Sequence, residues 1–497
     1  MAGKQMKSLA KDTAIYGVSS ILGKFLNWLL VPLYTYVLAS SADYGVVTNL
    51  YSWTALLLVI LTYGMETGFF RYVNKEENNP DLVYSTSMIS VGITSLIFAV
   101  WCVLFAPQIG HWLDYDNHPE YIWMLGLSVA LDAFASIPFA YLRYLKRPLK
   151  FAAYKLLFIC LNIPFNLFFL IVCPWLMKHA PHTIDWFYNP NYGVGYVFVS
   201  NILATAIQTA FLAPYIFAVK FRLDTALLRK ILRYSLPLLV LGVAGIMNQT
   251  LDKILFPFLL PGAKGASELG IYGATSKIAL VMLMFTQAFR YAYEPFVFAQ
   301  KKDENSLTAY SDAMKYFVIF SWFIFLGMTL YIDVFKFIIK HTYWTGLNVV
   351  PLVLVSFIFQ GIFFNLSVWY KLTDKTMYGA WFSLIGTIII VVGNVLLVPK
   401  YSYMGSAWAA FGCYFVVMLV SYFIGQKYFP INYQLKTIGK YTLLSLVLFC
   451  LGWYINLHYL LLNLLFRTVL LAIYVWHMTR RDFPLTQIPY INKFLKK

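Results

Sequence analysis

Residues 377–398 read MYGAWFSLIGTIIIVVGNVLLV, 22 consecutive positions without Asp, Glu, Lys or Arg. About 20 such residues cross the hydrocarbon core of a bilayer as a helix, the form in which a single segment satisfies its own backbone polar groups there. Working outward in both directions, apolar runs between charged or turn-rich breaks predict thirteen more spans. Before it they cover 13–38, 44–70, 83–106, 121–142, 150–173, 195–219, 234–258, 268–294, 313–335 and 348–370; after it they cover 403–425, 440–456 and 459–478. The composition agrees: 60% of the 497 residues are hydrophobic, 19% aromatic and 12% charged, with a mean hydropathy of +0.68. A soluble chain carries roughly 25% charged residues. A water-soluble enzyme, a fibre and a disordered chain are thereby excluded. The first apolar run is too long for a secretory signal, contains Lys24 and has no small-residue cleavage site after it.

The formal net charge of +17 raises the question of nucleic acid, and the distribution of charge answers against it. With the N-terminus inside, 27 of the 38 Lys and Arg fall in inner segments, 5 in outer loops and the rest within spans. The outer five are Lys178, Lys264, Lys336, Lys340 and Lys400. Such a bias is the positive-inside rule. It predicts an even number of spans, with both termini in the cytoplasm. Cys102, Cys160, Cys173, Cys413 and Cys450 lie in or beside apolar stretches without a CxxC pair, and read as core residues rather than disulfides or metal ligands.

An ungapped offset of 225 residues lays the first two spans on the seventh and eighth. Gly17 falls on Gly242, Pro32 on Pro257, Gly45 on Gly270, Asp43 on Glu268 and Asn27 on Asp252. Chance agreement between two apolar segments is the competing account. A true repeat makes two six-helix lobes, residues 1–230 and 231–426, with helices 13 and 14 appended over 427–497. Parallel repeats of this kind place a substrate site between the halves near mid-membrane.

Two segments carry a family resemblance. Span 2 ends in Gly64-Met65-Glu66-Thr67-Gly68-Phe69-Phe70-Arg71-Tyr72, and span 8 ends in Gln287-Ala288-Phe289-Arg290-Tyr291-Ala292-Tyr293-Glu294-Pro295-Phe296-Val297-Phe298. With the fourteen-helix plan these resemble the Wzx-type flippases, the polysaccharide transporters of the MOP superfamily. The resemblance implies an all-α polytopic protein of the bacterial cytoplasmic membrane, with two lobes that alternate between inward-open and outward-open forms. It further implies an undecaprenyl-diphosphate-linked oligosaccharide as substrate, as for O-antigen, handed to a polysaccharide polymerase outside. Lipid II flippases and MATE-like multidrug or cation antiporters belong to the same superfamily and are the alternative readings.

A charge at the centre of a span costs about 2.5–3.5 kcal/mol on insertion scales, so each needs a partner, a cavity or a task. The basic set is Lys24, Lys155, Lys253, Lys277, Arg290 and Arg467; the acidic set is Glu66, Asp132, Asp252 and Glu294. Lys24 lies near mid-depth with Asn27 on the same face, either as an anion ligand or as a buried partner of Asp132 or Glu66. Asp252 and Lys253 are adjacent, point about 100° apart and are expected not to neutralise each other. Arg290 and Glu294, spaced i, i+4, are expected to pair, for structure or for substrate. Arg71 and Lys155 lie close enough to the inner surface to snorkel; Arg467 suits a headgroup or helix packing. Lys24, Asn27, Lys253, Arg290, Lys277 and Arg71 are the candidate headgroup ligands. Asp252, Asp132, Glu66 and Glu294 are the candidates for a coupling H⁺ or Na⁺.

The sequence shows no P-loop, nucleophile elbow or HExxH, and no cofactor or metal is expected. His111, His118, His179 and His182 have no metal-site spacing. The tyrosines and tryptophans suit interfacial belts against membrane lipid. By resemblance, glycan polymerases and ligases of the membrane carry a large outer loop with arginine or histidine; here no outer loop holds an arginine. A carrier is expected rather than an enzyme, and no ATPase motif is present to drive it.

Overall fold

A computed structural model describes residues 17–299, 304–457 and 459–483. Lys4, Lys7, Lys11, Lys301, Lys302, Lys493, Lys496 and Lys497, which contribute to the inner-loop bias, lie outside these residues. A helix stands at each of the fourteen predicted positions, and no strand occurs among the described residues. In chain order these are α1 (17–37), α2 (Ser41–Val73), α3 (Pro80–Leu104), α4 (Glu120–Tyr144), α5 (Pro148–His179), α6 (Gly195–Phe211) and α7 (Thr225–Leu259). There follow α8 (Gly262–Ile278 and Leu280–Ala299), α9 (Glu304–Leu330), α10 (Val349–Leu372), α11 (Met377–Tyr401), α12 (Tyr403–Tyr428), α13 (Leu435–Tyr454) and α14 (Leu460–Arg481).

Eleven of these helices are long and apolar enough to cross a membrane, or twelve with the two pieces of α8 counted as one span bent by 46°. The count falls short of fourteen for local reasons. α6 stops at Phe211, three residues before Pro214, and has only 17 residues. α1 breaks at Leu29, where Pro32 has no N–H to offer the Trp28 carbonyl one turn back.

The helix ends follow from the sequence. Ser40 and Asp43 form a reciprocal capping box at the start of α2, Asn79 caps α3 ahead of Pro80, and the Asp224 carboxylate accepts from the Ala226 and Leu227 amides at the start of α7. Side-chain caps of this kind satisfy orphaned donors. α2 is broken at Tyr63 and Gly64, both left-handed at φ 33° and 70°. Glycine at 64 adopts that conformation without a Cβ penalty.

The helices group into two compact units, Met1–Ala274 with Met377–Cys413 and Thr275–Thr376 with Tyr414–Lys497. The first is organised around Phe69, Met65, Tyr84 and Tyr141. Tyr84 stacks on Tyr141 at 4.0 Å and donates to the Tyr215 carbonyl at 2.7 Å. α2 and α7 close together over Gly68, where a Cβ would strike Ser235 and Ile231. In the second unit, α14 is held by charge. The buried Arg467 guanidinium donates to the carbonyls of Gly452 and Leu330 and pairs with Asp333 at 2.5 Å. Of the two roles the sequence allows for Arg467, helix packing is the one seen.

Candidate functional site

The intramembrane charges fall into two classes. The locked class is buried. In the first unit Lys253 Nζ reaches Asp252 Oδ2 at 2.7 Å, with the two side chains 22% and 4% exposed. This corrects the expectation that adjacent positions cannot neutralise each other. The Cα–Cβ bonds do diverge, but the four-carbon lysine stem folds back across the angle and also reaches the Gln249 carbonyl at 3.3 Å. Tyr272 of α8 donates to the same Asp252 oxygen at 2.7 Å. The carbonyl of Lys253 accepts from Asn49 Nδ2 of α2 at 2.9 Å. It is open to α2 because Pro257, four residues on, has no N–H to fill it.

The accessible class is half-exposed. In the first unit Arg143 donates to Glu66, at side-chain exposures of 43% and 41%, and lies over the Phe70 ring at 4.9 Å. In the second unit Glu294 Oε1 takes Lys371 Nζ at 2.9 Å and Arg290 Nε at 3.5 Å, and Arg290 lies over the Phe364 ring at 5.5 Å. Glu66 and Arg143 are 77 residues apart in sequence, and so are Glu294 and Lys371. The first pair joins α2 to α4 and the second joins α8 to α10, helices six places further along the chain. The expected Arg290–Glu294 pair is present; Lys371, counted by sequence as an inner-loop charge, is its third member.

Around this second cluster lies a small cavity of about 20 Å³, lined by Thr286, Tyr293, Asn365 and Ser367 together with the three charges. Thr286 Oγ1 and Asn365 Oδ1 are buried, and among the described residues neither has a hydrogen-bond partner. Both residues contribute to the cavity lining, but the hydroxyl and the amide oxygen themselves are fully enclosed.

The remaining predicted residues lie apart from these clusters, except that the Lys155 charge acts on Asp132, Glu66 and Arg143. Lys24 and Asn27 on α1 and Lys277 on α8 are exposed. Arg71 lies over the Tyr234 ring at 4.0 Å, so cation–π contact with α7 supplements its reach to the surface. Lys155 sits over Phe139 at 4.1 Å, and Asp132 is half-buried. Among the described residues no group of three His, Cys, Asp or Glu forms a metal site.

Three comparisons bear on this arrangement. The model of a family described as polysaccharide biosynthesis protein matches residues 9–293. No curated protein sequence matches the chain. Among solved structures, the lipid II flippase MurJ in an inward-closed conformation aligns with a TM-score of 0.72 at 13% identity, over 94% of this chain and 99% of that one. An inward-facing multidrug-resistance MATE family transporter of the MOP superfamily aligns at 0.66 and 13%, over 84% and 95%. A MOP superfamily transporter from Pyrococcus furiosus aligns at 0.51 and 12%, over 84% and 96%. At these identities the likeness is one of fold, and the fold is that of a polytopic MOP transporter.

Proposed function

Because the chain belongs to the polysaccharide biosynthesis protein family, we propose that it is a flippase turning a polyprenyl-diphosphate-linked oligosaccharide, such as an O-antigen unit, from the inner to the outer leaflet of the bacterial cytoplasmic membrane. Helices α1–α6 and α7–α12 are the two lobes, both termini are cytoplasmic, and the carrier alternates access between them. It is a transporter with no chemistry of its own, and the delivered glycan passes to polymerase machinery outside.

The observation that carries this reading is the cluster of Arg290 and Lys371 about Glu294. Two cations against one carboxylate leave a net positive charge on α8 and α10. A glycan and a diphosphate cannot enter hydrocarbon, whereas a polyprenyl tail can remain there. The carrier therefore has to offer the headgroup a wet, cationic path while the tail stays in lipid. Arg71, Lys24, Asn27, Lys277 and Lys253 are the further residues proposed as headgroup ligands. Net drive comes from an H⁺ or Na⁺ gradient, the membrane potential or consumption of product; Asp252, Asp132 and Glu66 are the carboxylates proposed for the ion.

Depletion of the protein in its host tests the proposal. Lipid-linked oligosaccharide is expected to accumulate on the cytoplasmic leaflet. A purified protein that lengthens glycans in vitro would show a polymerase instead. Restored efflux of drugs in a sensitive host, without glycan accumulation, would favour the antiporter reading that the MATE-like fold allows.

A further inference from the structure

The start of α7 carries a patch that the headgroup path does not use, and we propose that it seats an anionic phospholipid. Arg229 and Arg233 hold the phosphodiester, Leu228, Leu232 and Leu236 lie along an acyl chain, and Phe217 and Phe221 enter the bilayer beside it. On the proposed topology the seat faces the inner leaflet; the site itself is built from the first unit alone.

α7 has 35 residues, about 52 Å of helix at 1.5 Å per residue, against about 30 Å of hydrocarbon. Residues 237–259 suffice to span, so 225–236 are surplus, and they hold Arg229, Lys230 and Arg233. Successive residues turn by about 100°, which sorts the surplus into rows. Leu227, Ile231 and Ser235 are buried. Next to them run Leu228 and Leu232, half-buried, and Leu236, which is 49% exposed. Beyond these run Thr225, Arg229 and Arg233, all exposed. The leucine and arginine rows line a groove of about 500 Å³, within the range of ligand sites. One wall is apolar and the other carries guanidinium groups, whose planar fork suits phosphate oxygens. Such a groove fits a molecule with a chain at one end and a phosphate at the other.

Charge and exposed carbon point to the same partner. Residues 220–233 hold Lys220, Arg222, Arg229, Lys230 and Arg233 against one acid, Asp224, whose carboxylate already accepts from the Ala226 and Leu227 amides. Among the described residues none of these five cations is ion-paired, unlike Arg143, Lys253, Arg290, Lys371 and Arg467. In the loop ahead of α7, Phe217, Phe221 and Leu223 are 71%, 52% and 46% exposed, and the two phenyl rings pack edge to face at 5.9 Å. The backbone behind them is fixed. The buried Ser85 hydroxyl of α3 accepts from the Arg222 N–H at 2.6 Å and donates to the Arg222 carbonyl at 2.8 Å. The Asp224 N–H donates to Thr86 Oγ1 at 3.2 Å. A basic loop that only meets water has no need of a backbone held so that three large apolar side chains stand out. An anionic bilayer surface takes both features, because its phosphates draw the cations and its headgroup–acyl boundary accepts the apolar groups.

The test uses the purified full-length protein in micelles of a neutral detergent. Phosphatidylglycerol and phosphatidylcholine with the same chains are offered in equal amounts, and retained lipid is counted by native mass spectrometry. Phosphatidylcholine carries its own cation beside the phosphate. Wild type is expected to retain phosphatidylglycerol about tenfold over it, as one charge-assisted contact implies. The double variant Arg229→Gln with Arg233→Gln should bring that preference to within about twofold. Phe217→Ser with Phe221→Ser should lower retention of both lipids, since apolar contact is indifferent to the headgroup. Arg147→Gln with Lys150→Gln removes two exposed cations of the α4–α5 loop and should leave the preference near wild type. An equal loss there would make it a property of net charge and overturn the seat. Equal retention of the two lipids by wild type overturns it as well. So does a lowered melting temperature of the arginine double variant in lipid-free detergent, which would make those cations structural. Displacement of phosphatidylglycerol by a short-chain prenyl diphosphate would place the groove on the substrate path, and displacement by inorganic phosphate would make it a free-anion site; either overturns the proposal. Micelles have no leaflets, so a wrong topology leaves these results unchanged, and depletion in cells judges the flippase reading separately.

Discussion

Gly45 of α2 and Gly270 of α8 cross face to face, so that a Cβ on either would fall onto backbone of the other helix. At Gly45 it would meet the carbonyl oxygen of Ala266 and come within 3.2 Å of the Gly270 nitrogen; at Gly270 it would meet the carbonyl oxygen of Ser41 and come within 2.9 Å of the Gly45 nitrogen. These two glycines are equivalent under the 225-residue offset. So are Thr48 and Gly273, where a Cβ on the glycine would strike the threonine hydroxyl. Equivalent positions touch one another where an axis passes between two copies of a motif. The reciprocal contact, with the Ser41 and Ser267 hydroxyls 2.6 Å apart beside it, supports the repeat and gives its glycines a reason to recur.

Gly45→Ala and Gly270→Ala should each reduce the amount of folded protein and lower its melting temperature in detergent, because backbone rather than a flexible side chain stands in the way. Overpacking of this kind typically costs about 1–3 kcal/mol. Gly245→Ala on α7, where a Cβ meets nothing within 4 Å, should melt within a degree or two of wild type. Equal melting of all three variants would remove the close crossing.

The Asn49 amide fills a carbonyl that Pro257 leaves open, and this gives a second prediction. Asn49→Ala should destabilise by about 1–3 kcal/mol, the cost of an unmet buried carbonyl; it also frees the Tyr115 hydroxyl, which donates to Asn49 Oδ1 at 3.1 Å. Pro257→Ala restores an N–H that can reach the Lys253 carbonyl. In a double-mutant cycle the asparagine loss should therefore be smaller in the Pro257→Ala background. Strict additivity of the two melting shifts would show that the asparagine acts elsewhere.

Asp333 lies beyond the Leu307–Leu330 span and carries the pH prediction. Burial pushes its carboxyl upward, but hydrogen bonds from Lys336 and Arg467 outweigh burial and hold it below the ordinary aspartate range. A depressed folded value means that the pair stabilises above the unfolded value near pH 4 and that the contribution is lost as pH falls through the folded value. Melting temperature measured from pH 5 down to pH 3 should fall more steeply in wild type than in Asp333→Asn. Parallel curves would assign acid sensitivity to other groups.

The sequence made the helices legible because a span has to be apolar along its whole length: a helix stands at each of the fourteen positions, and eleven or twelve of them are long and apolar enough to cross a membrane. Breaks within spans were less visible. Tyr63–Gly64 interrupts α2 through two left-handed residues, and only the glycine marks it. Site residues were legible where the partners share a helix face, as Arg290 and Glu294 do. They were missed where the partner comes from another helix 77 positions away, as Lys371 and Arg143 do. Both look like inner-loop charges of the positive-inside rule, and a count of loop charges cannot separate a solvated cation from one that turns back onto a helix. The signal that could have found them is the shared separation of 77 residues, which the 225-residue offset misses because it lays Glu66 on Tyr291 and Arg143 on Val368.

The two classes of ion pair should respond oppositely to loss of one charge. Lys253→Gln leaves Asp252 buried with the Tyr272 hydroxyl donating to it, and removing one partner of a buried pair costs about 3–5 kcal/mol. Folded protein should be scarce, and the double variant Asp252→Asn with Lys253→Gln should recover part of it. Arg143→Gln breaks a pair whose side chains are both more than 40% exposed, where solvent screening limits the loss to about 0–1 kcal/mol. Yield and melting temperature should stay near wild type, while glycan transport per folded molecule should fall, because the cation is accessible to a passing anion. Arg143→Lys keeps the charge and should retain more transport than Gln, though less than wild type, since the stacking over Phe70 favours a guanidinium. A folding defect in Arg143→Gln equal to that of Lys253→Gln would place Arg143 among the structural charges. Normal transport by a well-folded Arg143→Gln protein would take it out of the headgroup path.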